Sequence, residues 1–237
     1  MRKLLVVLIF LAVVVGVLGA IADPIARNRA EDEIGRQVAT QYNLSTRPEV
    51  DIRGFSFLLQ ALTGEYDGID VDLGRWTEQG VTVHDVKIEM NGVNAPLSEI
   101  AKGSSANVTA RTATASAVVP YDVIKQRGPR EVRAIRPHGD DLEVDLTGSI
   151  AGIPLSGSAV VQVKPTSRGI SITPVSVGAD GGLQVPLGLM RQQLTWTVPV
   201  ADLPVGSRIS RIEPTPSGLR VGATADNVRL NDLRNSG

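Results

Sequence analysis

The chain has 237 residues, with 24 Lys and Arg against 25 Asp and Glu, two His and no Cys. Lack of cysteine excludes a disulfide framework, a thiolate nucleophile and Cys-ligated metal, and a mildly acidic body lacks the broad basic face that nucleic acids need. Aromatics at 3% are too few for base-stacking platforms or a carbohydrate groove.

Arg2-Lys3 precede an unbroken uncharged run from Leu4 to Ala22. As a helix rising about 1.5 Å per residue, the run reaches roughly 28 Å, close to the hydrocarbon thickness of a bilayer. Ala20-Ile21-Ala22 before Asp23 also has the small-x-small form of a leader cleavage site. The length favours an uncleaved anchor over a cleaved signal, and both readings export the rest of the chain. The expected organisation is an anchor or signal segment over 1–22 and one domain over 23–237.

Asp23-Pro24 reads as an N-cap followed by proline at the first helical position. From there Ala26, Ala30, Ile34, Val38 and Tyr42 recur every four residues opposite a charged face, which predicts a helix to about Tyr42. Val50 and Ile52 then alternate with Asp51 and Arg53 as a strand. Phe55, Phe57, Leu58, Leu59 and Leu62 form a short apolar helix between Gly54 and Gly64. Ile69, Val71 and Leu73 alternate again. Val81 and Val83 sit on odd positions but Val86, Ile88 and Met90 on even ones, a phase slip that predicts a bulge at His84-Asp85. Further strands are expected at 107–119, 130–136, 141–146, 158–164, 169–173, 194–198, 208–212 and 219–225. Short helices are expected at 121–127 and 186–193, with a turn at Pro216-Ser217-Gly218.

In 107–119 neither face supplies bulk: one reads Val, Ala, Thr, Thr, Ser, Val and the other Asn, Thr, Arg, Ala, Ala, Ala. Such strands either pack closely or leave an apolar cavity, and close packing is the plainer outcome. An elongated cavity would suit an alkyl ligand, since each buried methylene contributes about 0.8 kcal/mol.

His84 and His138 are too far apart in sequence for ligand spacing, and no nucleophile-elbow, dinucleotide or phosphate-loop motif is present. Asp67, Asp70 and Asp72 form an acidic cluster, but Asp70 and Asp72 alternate with apolar residues as a solvated strand face does. No catalytic residue, metal site or cofactor is expected. Lys125, Arg127, Arg130, Arg133 and Arg136 make a local basic patch that either meets phosphate headgroups or protects a strand edge. Simple alternation would split it, with Arg133 opposite Arg130 and Arg136.

Several stretches resemble one family. Pro48-Glu49-Val50-Asp51-Ile52-Arg53-Gly54-Phe55-Ser56-Phe57-Leu58 is similar to a "PEV-x-I-x-G-F-P-F-L" stretch of actinobacterial LmeA-type phospholipid-binding proteins, with Ser56 in place of proline. Gly64-Glu65-Tyr66-Asp67-Gly68-Ile69-Asp70-Val71 resembles the continuation. Leu203-Pro204-Val205-Gly206, Ser217-Gly218-Leu219-Arg220-Val221 and Asp226-Asn227-Val228-Arg229-Leu230 resemble the closing strands.

The resemblance implies an α+β, TULIP-like fold: a single strongly curved antiparallel sheet wrapped around a helix, preceded here by the N-terminal apolar helix. It implies a non-enzymatic phospholipid carrier or sensor at the outer face of the plasma membrane or in a periplasm-like envelope. Mycobacterial members link that role to phosphatidylinositol-type lipids and mannan elongation of lipoglycans. The residues expected to line an apolar groove are Phe55, Phe57, Leu58, Leu62, Ile69, Val71, Val83, Val86, Ile88 and Met90. Arg130, Arg133 and Arg136 are the weaker candidates for headgroup contacts. The competing readings are a structural or partner-binding envelope protein with a solid interior and, last, a hydrolase of envelope glycans or lipids.

Overall fold

The computed structural model describes residues 2–78, 80–96, 98, 107–150, 153–166, 169–179, 187–199 and 207–234. Helix α1 (Arg2–Gln41) is continuous. It does not start at Asp23-Pro24 as the cap signal predicts. It runs through Pro24, whose missing amide leaves the Ala20 carbonyl without its helical donor and whose ring crowds that carbonyl. The anchor expected over 4–22 falls mostly on side chains outside the described ones. Among the described residues, no helix is long and apolar enough to cross a membrane.

The chain continues as β1 (Glu49–Arg53), α2 (Phe57–Thr63), β2 (Glu65–Glu78), β3 (Val81–Asn94), β4 (Thr109–Val119), α3 (Tyr121–Gln126), β5 (Val132–His138) and β6 (Asp141–Ile150). Next come β7 (Ile153–Thr166), β8 (Gly169–Ala179), α4 (Leu187–Leu194), β9 (Trp196–Pro199), β10 (Arg208–Thr215), β11 (Gly218–Arg229) and α5 (Leu230–Arg234). The fold is mostly antiparallel sheet, with one sheet strongly curled as a half-barrel.

There are two sheets where a single one was expected, in the orders β1-β2-β3-β4-β11-β10 and β5-β6-β7-β8-β9. The break falls at Pro120, the residue that opens α3. Proline has no amide with which to continue a ladder, so β4 ends at Val119; β5 to β9 form the second sheet, and β10 and β11 return to the first.

Two compact units divide the chain. The first comprises Met1–Leu73, Glu89–Thr112 and Asn227–Asn231, and the second Gly74–Ile88, Ala113–Asp226 and Asp232–Gly237. Strands β2, β3, β4 and β11 each run through both. The resemblance segment 203–206 lies outside the described residues.

The second unit is built on the five-stranded meander. Leu142, Val144 and Leu146 alternate inward on β6 against Ala159 and Val161 of β7 and Ile170 and Ile172 of β8. Val132 and Ile135 of β5, Ile124 of α3, Leu194 of α4, Trp196 and Leu219 complete the cluster. Leu142, Val161 and Ile172 have no exposed surface at all. Here the small strand residues are closely packed: Ala159 lies buried among larger neighbours. Pro174, opposite Val161, sits beside a bulge in β8: the register with β7 shifts between Val160 and Val161, leaving Val175 out of the ladder.

Where the phase slip predicts a bulge in β3, Asp85 has a positive φ of +52° inside a continuous strand. Its carboxylate is held below the usual range by a hydrogen bond from Arg220 at 2.7 Å.

Candidate functional site

The first unit positions α2 by a chain of local causes. β1 pairs antiparallel with β2, Ile52 opposite Ile69 and Val50 opposite Val71. Val50, Ile52 and Val71 are buried, while Ile69 is half-buried. β1 is an edge strand, and α1 covers it: the Ile52 amide donates to Glu31 Oε1 at 2.9 Å, so that amide is not left free to template another strand.

At Gly54 the backbone turns with φ at +127°, and an added Cβ would lie 2.5 Å from Gln60 Nε2 and 2.8 Å from Asp67 Oδ2. Ser56 then caps α2, its Oγ accepting from the Leu59 amide. At the other end Gly64 takes the left-handed conformation, and its amide donates to the Gln60 carbonyl at 2.7 Å.

A second cap comes from outside the helix. Asp23 of α1 accepts from the Phe57 amide at 3.0 Å, the Leu58 amide at 2.9 Å and Ser56 Oγ at 2.7 Å. Arg27, one turn further along α1, faces the same carboxylate at 3.4 Å and donates to the Gly54 carbonyl at 2.9 Å. The bond from Leu58 above all, then those from Ser56 and Phe57, hold the Asp23 carboxyl below its usual range. Asp23 thus does not cap the helix that contains it, which runs straight through; its carboxylate instead accepts from the first amides of α2.

The polarity of α2 is inverted. The side chain it buries is Gln60, whose Oε1 accepts from the Asp67 amide at 2.8 Å. The side chains it exposes are Leu58 at 36%, Leu59 at 61% and Leu62 at 81%. Phe55, just before the cap, is 99% exposed, and on α1 Ile21 and Ile25 are exposed as well. Phe57 is half-buried, its ring 6.3 Å from that of Tyr66. Tyr66 is itself buried, which pushes its phenol up.

The groove residues expected from sequence fall into distinct settings. Phe55, Leu58 and Leu62 project from the first unit, Phe57, Ile69 and Met90 are half-buried in it, and Val71 belongs to its core. In the second unit Val86 is buried while Val83 and Ile88 are half-buried.

Of the basic candidates, Arg136 is held in a two-point pair by Asp145, at 2.7 and 2.6 Å. A register shift between Val132 and Ala134 interrupts the alternation, and Arg130, Arg133 and Arg136 are all exposed. A second basic feature was not read from the sequence. Arg111 and Arg229 line a depression in the first unit with Gly92, Thr109, Ala110 and Asn227. They stand more than a hundred positions apart, so no local pattern reveals the pairing. A second depression, around Gly139, Asp140 and Ser210–Thr215 in the other unit, is polar. His84 and His138 are both exposed, and no group of acids and histidines among the described residues is arranged to hold a metal.

An exposed apolar edge and a separate cationic depression on a curled antiparallel sheet suit a binding protein whose ligand is itself amphiphilic. The chain belongs to the LmeA-like phospholipid-binding family, whose model matches residues 21–224. That membership supports a phospholipid-binding role in a family defined by binding rather than by catalysis. Comparisons with curated proteins and with solved structures gave no match.

Proposed function

We propose that the protein is exported, is tethered by residues 4–22 at the outer face of the plasma membrane or in a periplasm-like envelope, and carries or senses a phospholipid whose acyl chains it shelters. The observation that carries this reading is the family match over 21–224, which covers nearly everything beyond the apolar run. The apolar run itself supports the tether. A TULIP-like wrapping of sheet around helix, phosphatidylinositol-type headgroups and support of mannan elongation are the finer parts of the reading, and the sequence resemblance is their support.

Taken unit by unit, Phe57, Ile69, Val71 and Met90 of the first and Val83, Val86 and Ile88 of the second are the proposed acyl-chain contacts, whereas Phe55, Leu58 and Leu62 project from the surface. Arg111 and Arg229 suit a phosphate headgroup better than Arg136 does, because Asp145 already neutralises Arg136. Arg130 and Arg133 remain the weaker alternative.

The filled core of the second unit favours one competing reading, a structural or partner-binding envelope protein without a lipid. Transfer of a labelled phospholipid between donor and acceptor vesicles separates the two. Faster transfer, or depletion of lipid from donors, is expected with the full chain. No transfer and no retained lipid would favour the competing reading.

A further inference from the structure

We propose that Phe55, Leu58, Leu59 and Leu62 form a second membrane contact, an apolar edge that rests in the interfacial layer of the bilayer holding α1. The inference rests on the tether reading of Leu4–Ala22. Its occupant is a lipid surface.

The inverted polarity of α2 is the first reason. A seven-residue helix that buries a glutamine and presents three leucines to solvent is not folding around its own core. No charged side chain occurs anywhere from Gly54 to Gly64, so nothing in the segment resists a lipid environment.

The second reason is where α2 is fastened. Asp23 and Arg27 bind the 54–58 segment, and they are the first and fifth residues beyond Ala22. At about 1.5 Å per residue, Arg27 lies roughly 7.5 Å past the end of the apolar run. The headgroup layer on each side of the hydrocarbon is about 5–7.5 Å thick, so Asp23 lies within it and Arg27 at its outer limit. With 4–22 spanning the bilayer, the clamp holds α2 at headgroup depth. Ile21 and Ile25, one turn apart on α1, carry apolar surface across the same boundary. A protein partner would have to displace lipid already present at that level.

The absence of cysteine allows single labels to be placed at will. Full-length chains carrying Phe55→Cys, Leu59→Cys or Leu62→Cys, each spin-labelled, are reconstituted in vesicles of phosphatidylcholine and phosphatidylglycerol. Thr46→Cys serves as the aqueous reference and Leu11→Cys as the hydrocarbon reference. The labels at 55, 59 and 62 are expected to be shielded from a water-soluble nickel relaxant and exposed to oxygen, unlike the label at 46. In the Leu58→Asp, Leu62→Asp background the label at 55 is expected to move into water while the label at 11 stays in hydrocarbon.

Labels at 55, 59 and 62 as water-accessible as that at 46, with 11 still shielded, overturn the contact and leave the tether standing. A label at 55 that stays shielded in the doubly substituted background also overturns it. A water-accessible label at 11 overturns the tether, and the contact with it.

Discussion

The Asp23 carboxylate accepts two backbone amides and one hydroxyl while facing a guanidinium, and these bonds favour its charged form. Its folded pKa is depressed, so the clamp is fully formed above the ordinary aspartate range of about 4 and is lost as pH falls from there through the folded value. Normalised amide exchange at Phe57 and Leu58 should therefore match at pH 7 and pH 5, with protection disappearing only in stronger acid. Asp23→Asn should raise exchange in α2 while leaving β6 unaffected. Exchange rising instead through the whole chain would mean that Asp23 supports the fold at large. Gly54 is the other sensitive position. Gly54→Ala, at φ +127° and against Gln60 and Asp67, should cost about 1–3 kcal/mol in denaturant unfolding. In the sequence Asp23-Pro24 reads as a helix start, which the continuous α1 overrides. That the capped amides belong to residues more than thirty positions later is a tertiary fact, invisible to a local pattern.

Among the elements, those set by alternation or by a glycine stop were legible. β1 follows Val50 and Ile52, and α2 ends at Gly64 as its sequence indicates. Strand ends were missed where Gly, Ser and Pro replace the apolar alternation. β7 extends back through Ser156 and Gly157, and β8 continues past Pro174, because their neighbours supply the ladder rather than their own side chains. Exposure was not legible either. Leucine at 62 and leucine at 142 are equally apolar in sequence, yet one is 81% exposed and the other 0%. Their substitutions should diverge accordingly. Leu142→Ala removes a fully buried side chain and should cost about 2–5 kcal/mol. Leu62→Ser should change stability by less than about 0.5 kcal/mol while weakening association with vesicles. Equal losses of stability would contradict the contrast in packing.

For the whole molecule, the strand-rich antiparallel class and the family were both readable, the latter from the segment that proves to hold β1, Gly54 and the start of α2. The single sheet was not: β5 to β9 form a second sheet, and which strands pair is a long-range matter that local alternation does not carry. Nor was the depression between Arg111 and Arg229, which lie on separate strands, β4 and β11. The thin side-chain supply along 107–119 did not foretell an empty second unit, whose centre is filled by Leu, Val and Ile. Arg111→Ala with Arg229→Ala should weaken binding to anionic vesicles by about 1 kcal/mol per residue, and less at high salt, with little change in stability. An unchanged affinity would place the headgroup elsewhere.

Native mass spectrometry of the full chain, released from detergent micelles after incubation with phospholipid vesicles, tests the central claim most directly. The account predicts a mass increment equal to a phospholipid, surviving conditions that strip detergent. A stable, folded protein that appears only at its own mass, after exposure to every phospholipid class offered, would contradict it.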